Sequence, residues 1–265
     1  MIAWLIIYCL LIVAASLAGA RIPQLFKIDH RRTQMILSLV AGVMLGVGIL
    51  HLLPLSIQLL GDEIVWSCAS VLAGLLFMFF LIRIFDFHQH DAPCETDHCD
   101  DEHHHRSHRD ISWSGLFFGL AIHTIIDGIA LAVAYKSAQL SQSTLPAFGI
   151  FLAILLHKPL DSMSITTLMT AKNISLARQR ITSWVFALLC PLGAALAMLG
   201  VSQLNESQTL VLGISLGFSA GVFICISLSD ILPEVQFHSH DRFALSGMLI
   251  MGIAISVAIN FVSGV

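Results

Sequence analysis

Charge is what this chain is short of. Asp, Glu, Lys and Arg make up 11% of its 265 residues, against 57% apolar side chains, a balance that excludes a water-soluble globular protein. Positive charge is scarcer still: 13 Lys and Arg stand against 17 Asp and Glu, for a formal net charge of -4, so no general basic field exists to hold a nucleic acid. Of the six cysteines, Cys9, Cys68, Cys190 and Cys225 lie inside apolar runs, which is no disulfide framework. No His-Glu-x-x-His sequence occurs, so the commonest helical zinc-hydrolase motif is missing. Histidine, by contrast, is abundant. Its 13 copies equal Lys and Arg together, an excess that points to metal.

A helix crossing a hydrocarbon core about 30 Å thick needs about 20 apolar residues. Eight such runs follow one another, at approximately 2–20, 35–57, 64–84, 114–135, 146–170, 181–202, 209–233 and 243–264. The expectation is an all-α integral membrane protein of eight spans. Residues 1–85 carry spans one to three, 86–112 a polar loop, 113–171 spans four and five, and 172–265 spans six to eight. Ala18-Gly19-Ala20 resembles a signal cleavage site, but no positive charge precedes the first run, so a retained span is expected. Eleven of the thirteen Lys and Arg fall on one side of this topology. The positive-inside rule makes that side cytoplasmic, with both termini outside and the 86–112 loop inside. A plasma membrane, bacterial inner in kind, is the expected location.

Residues 41–54 align with residues 220–233, from Ala41-Gly42 to Leu53-Pro54 and from Ala220-Gly221 to Leu232-Pro233, with five of fourteen positions identical. In the topology above, span two runs outward and span seven inward. The copies are therefore inverted, as in transporters built from inverted repeats.

Ionisable residues inside spans are costly and mark function. Span four carries His123 and Asp127, and span five His157 and Asp161, each pair at i and i+4 and so on one helical face. Two such faces turned together offer two imidazole nitrogens and two carboxylates, a set suited to zinc or another divalent first-row metal. Pro159 removes an amide that would bond the Leu155 carbonyl, beside the site.

With these motifs the chain resembles the ZIP family of divalent metal transporters, in a short, prokaryotic-type form. The likeness rests on Ala41-Gly42 to His51-Leu52-Leu53-Pro54, His123 to Asp127-Gly128, His157 to Asp161, and Ser219-Ala220-Gly221 to Asp230-Ile231-Leu232-Pro233-Glu234. The resemblance implies a 3+2+3 arrangement with spans 1–3 and 6–8 as inverted repeats. It also implies a central metal site on spans four and five, movement of metal into the cytoplasm, and a homodimer. The cargo is expected to be Zn2+, or Fe2+, Mn2+, Co2+ or Cd2+, with no bound cofactor, and the metal ion and membrane lipid are the expected small-molecule partners.

The departures are specific. Many members of the family build a second, adjacent metal position from Asn in span four, an acid in span five and Glu in span six. This chain has Thr124, Lys158 and Cys190 there. A single-metal site follows, with Lys158 pairing with Asp127 or Asp161 in place of the second ion. Met44 stands where a thioether can lean towards the metal. His51 near the outer end of span two, and Asp230 and Glu234 near the inner end of span seven, read as entrance and exit ligands. In the polar loop, His98, His103, His104, His105 and His108 among eight acids read as weak multidentate metal ligands. Three other readings remain open, one of them a metal receptor that does not transport. A metal/proton antiporter of the cation diffusion facilitator kind also uses paired His-x-x-x-Asp helices, and an intramembrane zinc hydrolase would also hold zinc among helices.

Overall fold

The computed structural model describes residues 3–25, 30–61, 63–85, 113–140, 147–202, 208–237 and 242–263, without the side chains of 23–25, 30, 85, 139–140, 201–202, 208, 230–237, 242 and 260–263. Among the described residues every regular element is helical: α1 (Ala3–Leu25), α2 (His30–Val47), a π-helical turn (Gly48–Leu52), α3 (Leu53–Leu60), α4 (Ile64–Phe85), α5 (Trp113–Leu140), α6 (Phe148–Ala171), α7 (Leu176–Ser202), α8 (Gln208–Phe237) and α9 (Arg242–Ser263). Since α2, the π turn and α3 form one continuous rod, the traversals are eight. Seven are long and apolar enough to cross a bilayer, and α9 adds the apolar stretch Phe243–Ile259. The loop histidines named above lie outside the described residues, as do the side chains of Asp230 and Glu234.

Two details were not expected from the sequence. The sixth span starts at Leu176, five residues early, because a tight turn with Asn173 in the left-handed region (φ 54°) joins it directly to α6. Gln179 fastens that turn, its Nε2 donating to the Ile174 carbonyl at 2.9 Å. The second span contains the π turn, which falls at His51 just before Pro54. Proline has no N–H to return to the carbonyl four residues back, and a π turn is one way a helix absorbs that loss. In the fifth span, α6 continues through Pro159.

The helices pack as two groups. In one, α1 lies against α6 and α7, and α5 against α7; in the other, α2 lies against α9 and α8, and α4 against α8. Each pairing recurs when spans one, two, three and four are exchanged for six, seven, eight and five. Glycines show the same exchange. A Cβ on Gly42 would strike the Leu249 carbonyl of α9, and one on Gly221, its aligned counterpart, would strike the Val71 carbonyl of α4. Likewise a Cβ on Gly19 would strike the Pro159 carbonyl of α6, and one on Gly193 the Ile125 carbonyl of α5. Without side chains at these crossings backbones approach closely, which is how helices associate where lipid supplies no hydrophobic drive between them.

The outer surface is apolar. Leu10, Phe80, Ile181, Leu199 and Ile250 are among the large hydrophobic side chains left exposed, as lipid-facing positions are. Polar side chains turn inward, where Ser227 donates to the Ala41 carbonyl at 2.7 Å and Ser16 and Ser162 share a hydrogen bond of 2.6 Å.

Candidate metal centre

The site lies on the two central spans. Ten residues separate His123 from the start of α5, and nine separate His157 from the start of α6, so both histidines sit about 14–15 Å along their helices, near mid-membrane. The i, i+4 spacing places His123 over Asp127 and His157 over Asp161, and packing of α5 on α6 turns the faces together. One ligand atom from each of His123, Asp127, His157 and Asp161 lies within 4.8 Å of all the others, and all four residues are buried.

Asp127 is the hub. Its Oδ2 stands 3.4 Å from His123 Nε2 and 3.2 Å from His157 Nε2, while His157 Nε2 is 3.9 Å from Asp161 Oδ2. A tetrahedral zinc ion with bonds of about 2.0–2.2 Å holds its ligand atoms about 3.3–3.6 Å apart. The donors therefore need only small movements to close on one ion. His157 Nδ1 donates to the Ala153 carbonyl at 2.8 Å, which leaves Nε2 to face the carboxylates. In the neutral ring that nitrogen is a lone pair pointing at an anion, an arrangement that a proton or a metal ion between them makes favourable. Among the described residues, neither ring nitrogen of His123 nor Asp127 Oδ1 has a hydrogen-bond partner. Buried groups of this kind are costly unless a further ligand engages them.

Lys158 fills the neighbouring position. Its ammonium donates to Thr124 Oγ1 at 2.8 Å, Asp127 Oδ2 at 2.8 Å and Asp161 Oδ2 at 3.3 Å, using all three of its N–H bonds. Thr124 is oriented to accept because its own hydroxyl donates to the Leu120 carbonyl at 2.7 Å. Phe186 of α7 lies 5.3 Å below the ammonium, ring centroid to nitrogen, within cation–π range. The lysine thus pairs with both aspartates where the sequence left one or the other. Cys190 is buried nearby, its backbone carbonyl packed on Gly128.

A cavity lined by Val40, Met44, Met78, His123, His157 and Asp161, among others, lies at the site and towards the end of the bundle where α4 finishes and α5 begins. Met44, flagged from the sequence, borders it. The opposite direction is blocked by a buried cluster that includes Val47, Leu131, Ile150, Ile154 and Phe223. His51 lies beyond that block. Its Nε2 donates to the Ser256 carbonyl at 3.1 Å, and its ring touches Gly149, eight residues and about 12 Å along α6 from His157. The structure thus gathers the four ligand candidates, Thr124, Lys158 and Met44, and keeps His51 apart. Sequence reasoning missed Phe186, which faces the Lys158 ammonium, and the carbonyls of Ala153 and Leu120, which orient His157 and Thr124; carbonyls carry no residue-type signal.

The family model described as ZIP Zinc transporter matches residues 86–260, more than half of the chain. The chain belongs to the ZIP zinc transporter family. Among relatives, Zinc transporter ZIP9-B of Xenopus laevis is 30% identical over 178 residues, 65% of this chain and 54% of that protein. Zinc transporter ZIP9 of Micropogonias undulatus is 33% identical over 132 residues, 49% of this chain and 41% of that protein. Zinc transporter ZIP1 of Danio rerio is 25% identical over 179 residues, 66% of this chain and 57% of that protein. The chain spans about half the length of the relatives it matches. Family and helices together make this ZIP member a multi-pass integral membrane protein.

Proposed function

We propose that this chain carries zinc, or a related divalent transition metal, across the membrane into the cytoplasm through one mid-membrane site made by His123, Asp127, His157 and Asp161. The observation that carries the reading is the convergence of those four donors within 4.8 Å at the buried centre of a ZIP-family helix bundle. Lys158 supplies the charge that a second ion would bring, so one metal binds at a time. The metal is cargo and not a cofactor. A hydrolase reading is weaker, because four converging donors leave no position for an activated water.

Alternating access requires the site to face each side in turn. The α1/α5/α6/α7 group holds the four donors, and the α2/α3/α4/α8/α9 group surrounds it. Movement of one against the other would exchange the cavity at the end where α4 finishes and α5 begins for a path towards His51. The recurring helix pairings and the aligned Gly42 and Gly221 support the 3+2+3 reading with spans 1–3 and 6–8 as inverted repeats. Met44 would touch the metal from the cavity wall, His51 would receive it outside, and Asp230 and Glu234 would pass it on inside. There His98, His103, His104, His105 and His108 would bind it weakly. By the charge distribution the termini are outside and the location is a plasma or bacterial inner membrane; the assembly is a homodimer.

The test is time-resolved uptake of labelled zinc into sealed, oriented proteoliposomes by wild type, His123→Ala and His157→Ala. Entry from the outer face, lost in both variants, is expected. Undiminished flux in the variants would refute the four-donor site, and zinc moving only outward against protons would favour the antiporter.

A further inference from the structure

Away from the metal centre, α1 and α7 pack side by side and leave two neighbouring hollows on their outer surface. The first, about 270 Å³, is lined by Arg21, Arg180, Ser183 and Trp184 with Leu17 and Ala20. The second, about 630 Å³, runs deeper into the membrane between Cys9 and Val13 on one wall and Leu188, Pro191, Ala195 and Met198 on the other. Trp184 borders both.

We propose that these hollows bind one anionic phospholipid, its phosphate between Arg21 and Arg180 and one acyl chain in the α1/α7 groove. Charge and polarity are sorted along the groove as they are in the lipid. Arg21 follows the apolar run of α1, and Arg180 directly precedes that of α7, so both guanidinium groups mark the same edge of the hydrocarbon. Both are exposed, and neither has an ion-pair partner among the described residues. A forked guanidinium donates two hydrogen bonds to a phosphate, which makes Arg the fitting residue for this head group. Trp184, half-exposed at 52%, stands where indole rings favour the membrane interface. From Arg21 to Leu5 the two hollows follow 16 residues of α1, about 24 Å, enough to span one leaflet of a core about 30 Å thick. Small side chains make the trough: Ala195 and Pro191 give α7 a shallow face opposite Cys9. The floor of the head cleft is held by Gln179, buried and bonded to the α6–α7 turn. On the orientation above the leaflet is the cytoplasmic one, where anionic lipids concentrate. The site lies on α1 and α7, the helices that buttress α6 and α5, so the bound lipid would brace the metal-bearing group.

The test is native mass spectrometry of the purified full chain, offered phosphatidylglycerol and phosphatidylcholine with identical acyl chains. Each cation near an anionic head group is worth about a fivefold preference. Wild type should retain one phosphatidylglycerol per chain in clear preference, each single variant, Arg21→Gln or Arg180→Gln, should lose about fivefold of it, and the double variant roughly thirtyfold. Arg178→Gln, exposed but outside the cleft, should keep it. Ala195→Trp, which fills the groove, should reduce retention of both lipids. Equal retention of the two lipids by wild type overturns the proposal, as does an equal loss in Arg178→Gln, which would mean diffuse surface charge. Phosphatidylglycerol displaced by inorganic phosphate and unaffected by Ala195→Trp would leave an anion site without a lipid. Conversion of a dimer to monomer by Ala195→Trp without lipid loss would make the groove a subunit interface. Retention is read without transport, so failure here leaves the metal reading untouched.

Discussion

Lys158 and Asp127 are joined by a contact of 2.8 Å in the centre of the membrane domain, at the same carboxylate oxygen that His123 and His157 face. Both residues are completely buried. Removing one member of a buried ion pair leaves the other uncompensated, at a cost of about 3–5 kcal/mol. Lys158→Met should therefore lower the thermal unfolding temperature of the purified protein markedly in a chelator, and added zinc should restore part of the loss by returning positive charge. An unfolding temperature equal to that of wild type in chelator would show that the pairing contributes nothing.

Replacing the cation by a ligand should change stoichiometry. Lys158→Glu puts a third carboxylate beside Asp127 and Asp161, and two zinc ions per chain are expected by elemental analysis after equilibrium dialysis, against one for wild type. A variant that still binds one ion would count against Lys158 as the stand-in for a second metal.

The aspartates should not be equivalent. Asp127 meets both imidazoles and Lys158, whereas Asp161 lies 3.9 Å from His157 alone and keeps the longer, 3.3 Å contact with Lys158. Asp127→Asn should weaken zinc binding by more than the roughly 10–100-fold typical of an outer-shell partner, and Asp161→Asn should weaken it less. Calorimetric titration of both variants measures the order, and the reverse order would move the hub of the site to α6.

Protons and zinc compete for the same nitrogen and oxygen atoms, since a metal ligand must be deprotonated. The sign is fixed: lowering pH adds protons to the donors and removes zinc. Apparent zinc affinity should fall as the medium is acidified, and zinc added to weakly buffered protein should release protons. His157→Ala should release fewer, since its Nε2 faces Asp127 Oδ2 at 3.2 Å, where a proton is shared in the metal-free protein. Zinc affinity that stays unchanged on acidification would show that these donors are not the ligands.

The glycine crossings should be intolerant in matched pairs. Gly42→Val and Gly221→Val each drive a side chain into a facing backbone, and overpacking of this kind costs about 1–3 kcal/mol or more. Gly200→Val, with no neighbour within 4 Å, lacks that clash and should be neutral or slightly stabilising, since valine is a better helix former than glycine. Thermal unfolding in detergent compares them, and equal tolerance at all three positions would contradict the close packing of α2 on α9 and α8 on α4.

Much of this was legible in one dimension because the bilayer imposes simple rules. A span must be apolar for about 20 residues, so the eight runs could be marked off directly, and buried charge is rare enough for His123, Asp127, His157 and Asp161 to stand out. Boundaries were less legible. The start of α7 at Leu176 depends on the Asn173 turn, and the π turn at His51 depends on how a helix accommodates Pro54; neither changes the hydropathy that located the spans.

The sequence by itself determined the number of crossings, the i, i+4 faces and the residues able to hold metal, since periodicity and composition act locally. Only the tertiary structure decided which faces meet. It brought α5 onto α6, gave Lys158 three partners on two helices, fixed the His157 ring through Ala153 and set His51 two turns away. Those outcomes depend on backbone approach at Gly19, Gly128 and Gly193 and on carbonyls that every residue possesses, and one-dimensional pattern carries no record of distances between helices.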